Sequence, residues 1–264
     1  MITNRSFAIL AAFVALCTVS CKKGETVIDI FESNGEYALA PNDSAGVSIT
    51  QSIEYLTTFE RGRTLCSKVN NQIVKFCFGD RYDGVPLPEA SAGYIESLVT
   101  DYRKDAGESY DPESDSWWMY NWYYNLSGRF AESYGDLQTY TVYSENFLGG
   151  AHGMQSMIPH VIDLRTGEEV EEESLFLEGY EEPVAELIRK ALQEAWGSPD
   201  DPGSTYCMVE EDGMVPNGYF GVSEEGMTWY YQPYVIASYA QGIIEAKVGW
   251  NSLKPYIDKE VLKP

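Results

Sequence analysis

One histidine stands out as a group that could do chemistry. His152 lies in Phe147-Leu148-Gly149-Gly150-Ala151-His152-Gly153, where three glycines let the backbone take positive φ and approach other groups closely. Two readings fit it. The imidazole is an exposed general base or ligand anchor, or it is a structural ring whose hydrogen bonds tie two strands together. General-base work needs a proton-transfer partner, and no partner motif accompanies His152. The other histidine, His160, sits in an apolar strand-like run and reads as a core or edge residue. Their spacing fits no HExxH-type metal helix. Nothing resembling GxSxG or CxxC is present. The acidic run Glu168, Glu169, Glu171, Glu172 and Glu173 lacks the spacing of a calcium loop and reads as a solvated face. Neither a metal nor a cofactor is therefore expected. Among 41 acidic residues some pair always falls at glycosidase separation, so the carboxylates alone support no hydrolase.

Aromatic residues form the second group. The run Trp117-Trp118-Met119-Tyr120-Asn121-Trp122-Tyr123-Tyr124 either stacks on sugar rings and anchors a protein partner, or divides between a core and a covering element. The same alternatives apply to Trp229, Tyr230, Tyr231, Tyr234 and Tyr239. As binding candidates, Trp117, Trp122, Tyr234 and Tyr239 join Gly149, Gly150, His152 and Gly153.

Several elements must position these groups. Residues 46–59 read as a strand, and the apolar pattern over 69–78 fits helix or strand. After Pro88, Tyr94, Ile95, Leu98, Val99 and Tyr102 share one helical face, with Gly107 as a stop. Residues 117–130 and 137–147 read as antiparallel strands, and 156–164 as a further strand that turns at Arg165-Thr166-Gly167. The clearest helix is Glu181 to Trp196, with Pro183 in its first turn and Gly197 beyond its end. Residues 197–218 are rich in breakers and read as a long loop. Strands follow at 219–223, 227–232 and 242–250. Strands and helices are grouped rather than alternating, which predicts an α+β fold of antiparallel sheets with packed helices.

Composition sets the compartment and excludes one partner class. The chain has 264 residues, 44% hydrophobic and 14% aromatic, with a formal charge of −23. Such acidity argues against nucleic acid, whose binding requires a basic face. At the N-terminus, Arg5 precedes an apolar run over Phe7–Val19, too short to span a bilayer as a helix. The run ends Thr18-Val19-Ser20-Cys21, a small residue directly before a cysteine, as at a bacterial lipoprotein cleavage site. Residues 1–20 then form the signal peptide, Cys21 carries the lipid, and 21–45 serve largely as a tether. The expected location is the bacterial envelope, with membrane contact through that lipid, and the outer membrane is the favoured site. An ordinary secretory signal is the alternative. Export permits disulfides, and Cys66–Cys77 is the closest pair in sequence, although Cys207 could pair with either and the odd count leaves at least one thiol over. Three buried, unbridged thiols are the alternative.

The C-terminal half resembles the paired extracytoplasmic domains of RsiV-type anti-sigma factors and PdaC-type peptidoglycan deacetylases. The matching pieces, in order, are Gly149–Gly153, Ile162-Asp163-Leu164-Arg165-Thr166-Gly167, Leu175-Phe176 before the 181–196 helix, Gly226-Met227-Thr228-Trp229-Tyr230-Tyr231, and Gln232-Pro233-Tyr234 through Gly242. They cover about residues 139–256. The resemblance implies two domains, 46–138 and 139–264, the second akin to a lobe of the actin-like ATPases. No Gly-rich phosphate loop accompanies it, so ATPase chemistry does not follow. It implies a receptor-type module, non-enzymatic, that binds a lysozyme-like protein or cell-wall peptidoglycan. A peptidoglycan hydrolase or deacetylase using His152, or a structural accessory lipoprotein, are the alternatives. The sequence departs from the pattern at Val235, where an acid is usual, and at Ser238, where proline is usual.

Overall fold

A computed structural model describes residues 24–41, 44–197, 200 and 211–258. The signal segment, Cys17, Cys21, Cys207 and most of the 197–218 loop lie outside the described residues. Strand β1 (Val27–Ala38) pairs antiparallel with β2 (Gly46–Thr58) along its whole length. Two helices follow, α1 (Arg63–Phe78) and α2 (Leu87–Gly107), and the chain returns as β3 (Trp122–Tyr134), parallel to β2. β4 (Leu137–Phe147), β5 (Met154–Asp163) and the short β6 (Glu168–Glu169) complete one six-stranded sheet in sequence order. Helix α3 (Glu181–Trp196) then leads to a three-stranded antiparallel sheet of β7 (Phe220–Val222), β8 (Gly226–Tyr231) and β9 (Ile244–Gly249). One short turn of helix, α4 (Trp250–Leu253), follows.

The alternation of strand side chains explains the layering. On β4, Tyr140 and Val142 face α1, whereas Leu137 joins the core beneath the small sheet. On β5, Ile162 faces α1 and Val161 the opposite core. On β2, Val47 and Ile49 pack against Ile95, Val99 and Tyr102 of α2. The large sheet is thus a shared wall, with α1 and α2 on one face and the small sheet on part of the other. Thr139 joins the layers: its hydroxyl donates to Val222 O at 3.0 Å and accepts from Val222 N at 2.8 Å. Trp229 and Tyr231 are fully buried, and the α3 residues Val184, Ile188 and Leu192 pack in the same core.

Four expectations change. The expected tether over 21–45 holds a strand, β1. Its register extends β2, and the six-stranded sheet runs across the 138/139 boundary, so 46–138 and 139–264 share one sheet. Trp117–Tyr120 is a 3-10 turn, and β3 starts at Trp122. The Cys66–Cys77 disulfide does not form: both are buried free thiols on α1. Eleven residues apart on a helix, they are separated by about 16 Å along the axis, far beyond the roughly 7 Å that a disulfide allows. Burial raises the Cys66 thiol pKa and pushes that of Cys77 up to about 12. Neither thiol should react with iodoacetamide until the protein unfolds. Rapid labelling in the native state, read by mass spectrometry, would contradict this burial.

Candidate functional site

The loop between β4 and β5 meets the corner between β8 and β9. Gly149 and Gly150 have φ of +82° and +98° and turn the chain, as the sequence predicts. Gly153 is required for a different reason. Its φ is ordinary, but a Cβ there would stand 2.6 Å from Asn146 O and 3.1 Å from Tyr123 Oη. A Cβ on Gly149 would stand 3.1 Å from the Met119 carbonyl oxygen and 3.4 Å from the Trp122 indole nitrogen.

Gln232 holds the opposing corner against β5. Its side-chain amide accepts from Met157 N at 3.1 Å and donates to Met157 O at 2.6 Å, filling a stretch of β5 edge that the two-residue β6 does not reach. Pro233 is buried beyond it, and Tyr234 turns outward. Tyr234 has φ +73°, the only non-glycine in the left-handed region among the described residues. A bulky residue there is strained, and such strain clusters at functional sites. The residue is 57% exposed.

Three rings meet at this junction. His152 stacks on Tyr239 at 4.2 Å between centroids, and Tyr239 lies 5.7 Å from Tyr234 in a near-parallel arrangement. Gly153 O accepts from Tyr239 Oη at 2.7 Å and from His152 Nδ1 at 2.8 Å. Because a carbonyl only accepts, Nδ1 carries the proton and Nε2 is left as an acceptor. Nε2 faces the Tyr234 hydroxyl at 3.5 Å, a long contact that leaves room for a ligand donor. Leu148, Met154 and Val235 add exposed apolar surface around these rings.

Behind the rings, Tyr123, Tyr143, Glu145 and Gln155 lie on the sheet face opposite the helices. Tyr123 donates to Glu145 at 3.1 Å and Tyr143 to Gln155 at 3.3 Å. Burial first, and then the Glu145 carboxylate, raise both phenol pKa values, so these hydroxyls stay protonated as donors at neutral pH. The sequence reading named Tyr123 only as part of the aromatic run and missed Tyr143, Glu145 and Gln155. Their signal was alternation within predicted strands, which marks a face but not what it faces.

The other sequence candidates separate from this cluster. Trp122 is half-buried and packs edge-on against Tyr102 of the α2 core. Trp117 is exposed on the 3-10 turn and takes no part in the ring stack. His160 is structural: it stacks on Phe76 of α1 at 3.8 Å and contacts Glu169 at 2.7 Å. The acidic run is not a uniform solvated face, because Glu172 is 3% exposed and accepts three hydrogen bonds. Cys21 lies outside the described residues. Among the described residues no group of His, Cys, Asp or Glu is arranged to hold a metal, and no helix is long and apolar enough to cross a membrane.

The fold is a mixed α+β wall of six strands carrying a smaller three-stranded sheet and its helix. Residues 173–251 match the family model described as "Protein of unknown function (DUF3298)". That stretch holds α3, the small sheet and both Tyr234 and Tyr239, whereas His152 precedes it. A crystal structure of a DUF3298 family member from Bacteroides fragilis is similar, with a TM-score of 0.74 and 20% identity over 90% of this chain and 95% of that one. A DUF3298 family protein from Pseudomonas aeruginosa is similar with a TM-score of 0.61 and 15% identity, over 91% and 98% of the two chains. At these identities the likeness establishes the fold alone. No curated protein matches the chain.

Proposed function

We propose that the chain is a non-enzymatic binding protein of the bacterial envelope, lipid-anchored at Cys21, whose ligand is held at the His152–Tyr234–Tyr239 junction. One observation carries the reading: an exposed tyrosine is kept in a strained left-handed conformation, its ring aligned with two others. Exposed, pre-positioned aromatic rings with a polar tip are what sugar rings and protein hot spots require. The resemblance to the extracytoplasmic modules of RsiV-type and PdaC-type proteins supports a ligand of the lysozyme or peptidoglycan class. The net charge of −23 favours encounter with a cationic protein. A hydrolase reading gains no support, since His152 Nδ1 is engaged by a backbone carbonyl and none of its contacts is a carboxylate.

The test is retention of the purified protein on immobilised lysozyme and on isolated peptidoglycan, at low and at physiological salt. Binding to one of them should survive physiological salt, and His152→Ala should weaken it about tenfold, or roughly 1.4 kcal/mol. Tyr234→Gly is the sharper variant. It relieves the positive φ and should leave stability unchanged or raise it by about 1 kcal/mol, while weakening binding to a similar degree. Unaltered affinity in both variants would remove the junction from consideration. Absence of retention on either bait would favour an accessory role beside another envelope protein.

A further inference from the structure

We propose that the free end of the β1–β2 ribbon rests on the lipid bilayer and that the sheet then presents the His152–Tyr234–Tyr239 junction away from the membrane. This rests on the reading of Cys21 as the lipid-bearing residue. The length of chain between that residue and the body carries the argument. Glu25 is already fastened to the ribbon, its carbonyl accepting from Thr58 Oγ1 at 2.8 Å, and Thr26 accepts from Glu60 N. Lys22, Lys23 and Gly24 alone separate Cys21 from Glu25. Even fully extended, that link spans no more than about 14 Å. A lipid on Cys21 therefore holds the Val27 end of the ribbon within reach of the headgroups.

That end has the surface such a position calls for. β2 pairs with β3 only as far as Ile53, so from there to Thr58 its backbone ladder is with β1 alone, at the end of the sheet where β3 turns into β4. Val27, Ile28 and Ile30 are 36%, 46% and 49% exposed, an apolar group with no cover from another described element. The one carboxylate between them, Asp29, is turned back onto Ile30 N at 2.8 Å. Glu25 and Glu60 flank the end, while Lys22 and Lys23 offset them beside the anchor. Apolar residues at a membrane surface insert among the headgroups and add buried apolar area to the lipid attachment.

Strand register fixes where the ring junction lies. Val47, Trp122, Phe147 and Met154 fall at one end of the sheet, the end where His152 loops out. Thr58, the partner of Val27, lies eleven residues further along β2. At about 3.3 Å per residue this is roughly 35 Å of strand. The anchor and the junction therefore occupy opposite ends of the same sheet.

Hydrogen exchange on the full-length protein tests this, comparing detergent-free protein in phosphatidylethanolamine–phosphatidylglycerol vesicles with the unlipidated Cys21→Ser form in solution. Exchange over 27–31 and 55–60 should slow by about tenfold on vesicles, whereas 148–153 and 233–240 should be unchanged. Ile28→Ser with Ile30→Ser should remove that protection without removing the lipid. Intact mass of the purified protein reads the lipid separately. A lipidated chain without protection at the ribbon, or with protection at the His152 loop, overturns this orientation alone. A chain without lipid overturns the anchoring reading as well.

Discussion

Replacing Glu172 by alanine should destabilise the protein by about 3–5 kcal/mol, because two buried side-chain donors and a part-buried backbone N–H would lose this acceptor together. Its Oε2 accepts from Gly218 N at 2.8 Å and from Trp229 Nε1 at 3.0 Å, and its Oε1 accepts from Tyr180 Oη at 3.2 Å. Glu172 lies in the turn before α3, Trp229 at the centre of β8, and Gly218 just before β7, so one carboxylate joins three segments of the C-terminal core. Glu172→Gln should be far milder. The amide oxygen can accept both N–H groups, and the amide nitrogen can donate to a Tyr180 hydroxyl that rotates to accept. Chemical denaturation of the two variants checks this. Equal losses in both would show that the negative charge, not the acceptor count, sustains the network.

The same pair of proteins carries a pH signature. Burial raises the Glu172 carboxyl above the ordinary glutamate range, and the three donors pull it down by less. A raised acid binds its proton more tightly folded than unfolded. Its stabilising contribution is full below the unfolded value, near 4.3, and is lost as pH rises through the folded value. Glu172→Gln removes that loss, so the melting temperature of the variant relative to wild type should climb as pH rises above the unfolded value of about 4.3. Asp163 and Glu168 act in the opposite sense, since Arg165 and Lys68 hold their carboxyls below the ordinary range. Those groups are unchanged between the two proteins, so the difference isolates Glu172.

What the sequence shows and what it hides follow from where the determining contacts lie. Helix α3 is legible to the residue because Val184, Ile188 and Leu192 repeat at helical spacing, and Gly197 with φ +90° stops it. Strands β4 and β5 are legible because β-branched and aromatic residues alternate toward two cores. β1 is not, for it is an edge strand on which only Phe31 and Tyr37 reach apolar neighbours. Val27, Ile28 and Ile30 are exposed, and polar residues and glycine fill most of the rest, so the period-two signal disappears. The glycine-flanked His152 is conspicuous in sequence, but its stacking partner lies about 87 positions away in a segment that reads equally well as core. Only the order of the family-like fragments brings the two together. Glu172 is hidden for a similar reason, since its burial depends on donors that arrive from Gly218 and Trp229, and a row of glutamates gives no sign of which one turns inward.

Gly226→Ala should cost about 3 kcal/mol or more, and the cause is backbone meeting backbone. Gly226 opens β8 opposite Gly249 of β9, and a Cβ there would overlap the Val248 carbonyl oxygen and stand 2.8 Å from Gly249 Cα. No rotamer relieves such contacts. Relief requires the two strands to part at the point where Met227 and Trp229 enter the core. The facing glycine supplies the control. A Cβ on Gly249 would meet only Glu225 O at 3.6 Å, an ordinary van der Waals distance, so Gly249→Ala should change stability by no more than about 0.5 kcal/mol. Urea unfolding of both variants separates the two explanations for this glycine pair. If both substitutions destabilise alike, the pair is needed for backbone flexibility. If Gly226→Ala alone does so, the close approach of β9 is what excludes a side chain, and the small sheet that carries Tyr234 is held in register by that contact.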